Sequence, residues 1–95
     1  MSVGDQVWTV RVWDYDGKPY ADVDERTVVA VLDDGNVVTR SRYDSVIVYS
    51  QAEIFATKRL AEERAVDLLR ERIATVIAAY TSAIDKLLTS AAAAV

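Results

Sequence analysis

The chain has no cysteine and no histidine, one proline, three glycines and one phenylalanine. Without cysteine there is neither a disulfide framework nor thiolate chemistry. Without histidine the usual metal ligand, the usual general base and the near-neutral pH switch go together. The glycines, Gly4, Gly17 and Gly35, are isolated turn residues, so no phosphate-binding loop exists. No serine has a histidine to activate it, and Lys18, Lys58 and Lys86 stand in separate contexts. The expectation is a non-enzyme with no catalytic residue, no metal site and no cofactor.

Long apolar runs are also missing. The longest, around Ile73 to Tyr80, is interrupted by Thr75 and is too short to span a bilayer. The opening MSVGDQVWTV has no basic and then apolar segment of the secretory kind. No membrane partner is expected, and cytoplasmic residence is the default. Charge of one sign is scarce as well. Residues 1–50 hold nine acids against five bases, whereas residues 51–95 hold six of each. The net charge of -4 therefore sits on the first half. With no basic stripe to follow phosphates, nucleic acid is disfavoured as a partner.

What is present is a fold-forming pattern: 52% hydrophobic with 27% charged residues, enough to bury a core. Over residues 1–49 it reads as β structure. Val7–Trp13 alternates, with uncharged Trp8, Val10 and Val12 as the expected core face and Val7, Thr9, Arg11 and Trp13 on the other. Asp16-Gly17 marks a turn, Val23–Leu32 a second strand, Asp33-Asp34-Gly35-Asn36 a hairpin, Val37–Arg42 a third strand and Val46–Tyr49 a fourth. Short loops between them predict an antiparallel meander.

From Ser50 on there is no glycine or proline. Ser50-x-x-Glu53 reads as a capping box, with Tyr49 and Ile54 at the staple positions, and so predicts a helix over 50–90. Such a helix is about 57 Å long over Gln51–Leu88, whereas a compact chain of this length has a radius of gyration near 12 Å. Ile54, Phe55, Ala61, Ala65, Leu68 and Leu69 are expected to face the sheet, with Lys58–Glu62 and Arg59–Glu63 as outward pairs. Beyond them Val66, Leu69, Ile73, Val76, Tyr80, Ala83 and Leu87 recur at spacings of three and four, and Ile77 and Ile84 widen the stripe. Val66, Leu69, Ile73, Val76, Ile77, Tyr80, Ile84 and Leu87 are the expected interface of a homodimer or tetramer. The competing expectation is a break at Thr81-Ser82 with the last segment folded back. Residues 91–95 are expected to fray.

Two clusters invite a functional reading. Asp14, Asp16, Asp22, Asp24 and Glu25 bracket the first turn, and Tyr15 and Tyr20 lie among them. Together they form a candidate partner-binding surface, set against the simpler reading of a charge-protected hairpin. A calcium loop is excluded by spacing: counted from Asp14, the fifth position is Lys18 and the sixth Pro19. Trp8, Trp13, Tyr15, Tyr20, Tyr43 and Tyr49 admit an aromatic groove, or core and rim packing.

At Gly4-Asp5-x-Val7-Trp8 the chain resembles the opening of small SH3-like β-barrels. Val48-Tyr49-Ser50-Gln51-Ala52-Glu53 resembles the barrel-to-helix passage of short proteins encoded by bacteriophages and prophages. The resemblance implies an α+β fold: a four- to five-stranded antiparallel barrel-like sheet followed by one long C-terminal helix. It implies an accessory protein of a virus or mobile element that works by binding a host protein in the host cytoplasm, a class that includes inhibitors of bacterial defence such as anti-CRISPR proteins. It carries over no binding residues. A virion or scaffold component is the alternative, and nucleic-acid binding through Arg11, Arg40 and Arg42 a further one.

Overall fold

The computed structural model describes residues 1–94. Strands β1 (Gln6–Tyr15), β2 (Lys18–Val31), β3 (Val37–Ser41) and β4 (Val46–Tyr49) form a meander. A single 3-10 turn at Gln51–Glu53 leads into a two-residue strand β5 (Ile54–Phe55), and the helix α1 (Lys58–Ala93) follows. The sheet order is β4-β3-β2-β1-β5 and every pairing is antiparallel. The fold is thus α+β, a five-stranded antiparallel sheet followed by one long helix. Among the described residues β4 and β5 are its two edges.

The turns form where their chemistry predicts. Asp16 and Gly17 both take positive φ, 52° and 73°, the twist that a two-residue hairpin loop requires. The loop being this tight, β1 and β2 run on to Tyr15 and from Lys18, past the residues expected to break them. At the next hairpin Gly35 adopts φ 87°, and the Asp34 carboxylate accepts from the Asn36 backbone N–H. The register then shifts between Val28 and Ala30, so a bulge at Val29 puts Val31 opposite Val37.

The core lies on the face expected to be outer. Val7, Val28, Val37 and Ile54 form the buried cluster, with Tyr49 packed against it. Thr9, Arg26 and Thr39 are buried on the same face. Trp8, Val10 and Val12, expected as the core face, are half-buried. The reason is that β1 is covered on both sides. Its inner face lines the curl of the sheet. Its other face meets α1, whose Arg72 bonds Asp14 and the Val12 carbonyl. Charge on Arg11 did not disqualify the inner face, because Arg11 sits toward the open end and is exposed.

The helix starts seven residues later than Ser50-x-x-Glu53 predicts. The Glu53 carboxylate does accept from the Ser50 N–H (3.1 Å) and hydroxyl (2.9 Å), but these bonds close only the 3-10 turn. Ile54 and Phe55 are then drawn onto the open edge of β1, opposite Thr9 and Trp8. As a strand their side chains part: Ile54 enters the core, and Phe55 takes the Trp8 side. Edge pairing together with burial of Ile54 outweighs the local helix signal. The true N-cap is Thr57, whose hydroxyl accepts from the Leu60 N–H.

Ala61 and Ala65 are buried where α1 crosses the sheet, and Leu68 and Leu69 are half-buried beside them, as their spacing predicts. Alanine there lets the helix axis approach closely. Of the two outward pairs expected, Arg59–Glu63 forms at 3.2 Å; the other ion pair within the helix is Arg64–Glu71 at 3.5 Å. The helix passes Thr81 and Ser82 unbroken, so the last segment does not fold back, and it continues to Ala93 through most of the tail expected to fray. Val95 lies outside the described residues.

Candidate interaction surfaces

At 36 residues, α1 is about 54 Å long. The sheet covers only its first part. The radius of gyration is 19.8 Å and the extents are 69 × 27 × 21 Å, far from a compact body of this length. Arg72 is the last helix residue with a bond to the sheet, so Ile73 to Ala94 projects as an arm. At about 100° per residue, Val66, Ile73, Tyr80, Ile84 and Leu87 point roughly a quarter-turn away from Ala61 and Ala65. The sheet therefore leaves the stripe open except at Leu69. Ile73 is 59% exposed, Tyr80 70% and Leu87 72%; Val66, Val76, Ile77 and Ile84 are exposed too, and Leu69, nearest the sheet, is half-buried.

The arm differs from an ordinary surface helix on its back as well. From Ile73 to Ala94 the only charged residues are Asp85 and Lys86. Opposite the stripe stand Ala78 and Ser82, small and uncharged, and a turn further on Asp85 and Lys86. A helix with water on that side normally carries charge there. No helix is long and apolar enough to cross a membrane among the described residues.

The seven residues of the expected acidic surface do not form one patch. Register places Tyr20, Asp22 and Asp24 on the inner face, opposite Trp13, Arg11 and Thr9. Glu25 lies on the other face, opposite Trp8. Asp14 is on that face too, and its Oδ2 accepts from Arg72 Nη1 at 2.6 Å. Tyr15 and Asp16 occupy the exposed hairpin tip. The split follows from the period of a strand: neighbours such as Asp24 and Glu25 must point to opposite faces. On the inner face Trp13 stacks on Tyr20, with ring centroids 5.7 Å apart, and the Arg11 guanidinium lies 4.4 Å from the Trp13 ring.

Arg26 was not singled out by sequence. It is 4% exposed on the inner face, at the end of the run Asp22-Val23-Asp24-Glu25. Its Nε donates to Thr39 Oγ1 at 2.6 Å, its Nη2 to the Ser45 carbonyl at 2.5 Å, and its guanidinium lies 5.6 Å from the Tyr49 ring. It thereby ties the turn between β3 and β4 to the middle of β2. The available signal was phase: Arg26 stands two residues before Val28, so it shares the inward face of β2.

Above Arg26 the inner face opens into a groove of about 1100 Å³. Arg11, Arg42 and Lys58 line it together with Asp22 and Asp24, and Arg40 and Glu25, which register sets on the other face, reach only its border. Arg11, Arg40 and Arg42, distant in sequence, thus border one concavity. Among the described residues no group of His, Cys, Asp or Glu has the arrangement of a metal site. No protein-family model matches the chain, and no curated protein or solved structure matches it either.

Proposed function

We propose that this is a non-enzymatic binding protein that self-associates through the arm of α1 and presents its β surface to another protein. The observation that carries the reading is the apolar stripe from Val66 to Leu87, exposed at every position but Leu69. Burying one large aliphatic side chain is worth about 1.5–3 kcal/mol. A second copy of the same stripe is the nearest partner of matching shape and polarity. The assembly is a homodimer or a tetramer packed along this stripe.

Self-association of this kind gathers several β surfaces into one particle, and so multiplies a weak contact with a host protein. The return of β5 to β1 after the 3-10 turn supports the SH3-like resemblance, and with it the accessory role in a phage or mobile element, inhibition of a bacterial defence system included.

The test is light scattering after gel filtration over a concentration series. A discrete dimer or tetramer is expected. A constant monomer mass defeats self-association, and rings or filaments favour the scaffold alternative. The contribution of the acidic hairpin is read separately, by pull-down from bacterial lysate. The Tyr15→Ala, Asp16→Asn variant, altered only at the exposed hairpin tip, is expected to lose a protein that the wild type retains. Equal capture removes the hairpin tip from the contact.

A further inference from the structure

We infer that the groove over Arg26 binds an acidic peptide segment, one of whose carboxylates pairs with the Arg26 guanidinium. This rests on the docking half of the reading above and is independent of self-association.

The first ground is an unmatched charge. Arg26 is 96% buried, and an arginine does not deprotonate in a protein. Its two protein partners, the Thr39 hydroxyl and the Ser45 carbonyl, are both neutral. No ion pair within 4.0 Å engages it among the described residues. A buried cation is ordinarily paired, because desolvation is costly and dipoles offset it only in part. Asp24, on the same face of β2 two residues before it, does not close to an ion pair with it.

The second ground is access. Nη1 makes no hydrogen bond among the described residues. No buried side-chain nitrogen or oxygen among the described residues lacks a partner, so Nη1 is not sealed off. Arg26 lines the groove, and its free edge is therefore reachable from there. That edge, Nη1 with the second N–H of Nη2, is the fork that grips a carboxylate through two parallel bonds.

The third ground is the sign of the wall. Four cations of the lining (Arg11, Arg26, Arg42 and Lys58) meet two carboxylates (Asp22 and Asp24), in a chain whose net charge is -4; Arg40 and Glu25 fall on the other face by register. The excess is positive where the molecule as a whole is negative. The same two carboxylates decide the ligand class. A nucleic-acid backbone carries a charge at every step and must pass them both. An extended peptide directs its side chains alternately, so it can set carboxylates against the arginines and neutral residues beside Asp22 and Asp24.

The experiment is fluorescence anisotropy at low salt with fluorescein-labelled hexaglutamate, alongside hexalysine and a ten-residue thymidine oligonucleotide carrying the same label. Hexaglutamate is expected to bind and to be displaced by salt. Arg11→Gln with Arg42→Gln, both exposed and outside the core, should weaken it at least tenfold without unfolding the protein. Asp22→Asn with Asp24→Asn should tighten it severalfold. In a nitrogen–proton correlation spectrum the Nε–Hε signal of Arg26 should shift on titration, which a merely structural arginine would not do.

No binding of hexaglutamate, or binding that leaves the Arg26 signal in place, overturns the proposal. So does tighter binding of the oligonucleotide, which would make the groove a nucleic-acid site. A monomer that binds hexaglutamate upholds the groove and removes only the self-association. An oligomer that fails to bind it does the reverse.

Discussion

Ile73→Asp with Ile77→Asp is expected to yield a folded monomer. Both residues lie beyond Arg72, where the helix last bonds the sheet, and both are more than half exposed in the single chain. Neither supports the core of Val7, Val28, Val37 and Ile54. Each copy in the assembly loses two buried isoleucines, about 1.5–3 kcal/mol apiece. Each also gains two carboxylates that must either stay hydrated or be buried unpaired. A loss of about 4 kcal/mol already weakens association roughly a thousandfold, enough to dissociate it at micromolar concentration. Tryptophan fluorescence should be unchanged, since Trp8 and Trp13 both lie on β1. Retention of the wild-type mass by light scattering would mean that the stripe is not the seam.

Arg26→Ala is expected to lower stability by roughly 2–4 kcal/mol. For a domain near this size that is about 10–30 °C in Tm. The loss does not come from orphaned acceptors. Thr39 Oγ1 still donates to the Ile47 carbonyl at 3.0 Å, and the Ser45 carbonyl still accepts from the Ser41 N–H at 3.0 Å. It comes from the cavity in the middle of the curl, from the guanidinium beside Tyr49, and from release of the turn between β3 and β4. Arg26→Met fills much of the same space without a charge to desolvate, so it should recover more than half of the loss. Thermal unfolding followed by tryptophan fluorescence measures both. An alanine variant as stable as the wild type would leave Arg26 no structural role, and its burial would then need another explanation.

These two substitutions also mark what was readable in advance. The stripe around Ile73 and Ile77 was legible because a helix period repeats over many residues and no glycine or proline interrupts it. Arg26 was not legible. A single charged residue within an acidic run looks like surface, and only pairing with Thr39 across two strands takes it inside. The acidic hairpin shows the same limit. Its composition was plain, yet Glu25 and Asp24 part company because register, and not proximity in the chain, decides the face.

The Ser50–Glu53 box shows how a correct local reading can mislead. The hydrogen bonds it predicts form. A capping box specifies the start of a helical turn, but it does not specify how many turns follow. That was decided by β1, whose free edge and core offered Ile54 more than a second helical turn could.

By itself the sequence determined whatever depends on neighbours along the chain. That comprises the positive-φ turns at Asp16-Gly17 and Gly35, the alternating strands, the long uninterrupted helix, its exposed stripe, and the exclusion of cysteine and histidine chemistry. Tertiary structure alone decided which face of β1 is the core, that Ile54-Phe55 is a strand, that Arg26 is buried, and that Arg11, Arg40 and Arg42 border one groove. The division has one physical cause. Backbone propensity and periodicity act over a few residues, whereas burial and charge pairing are set by segments that meet only after the chain has folded.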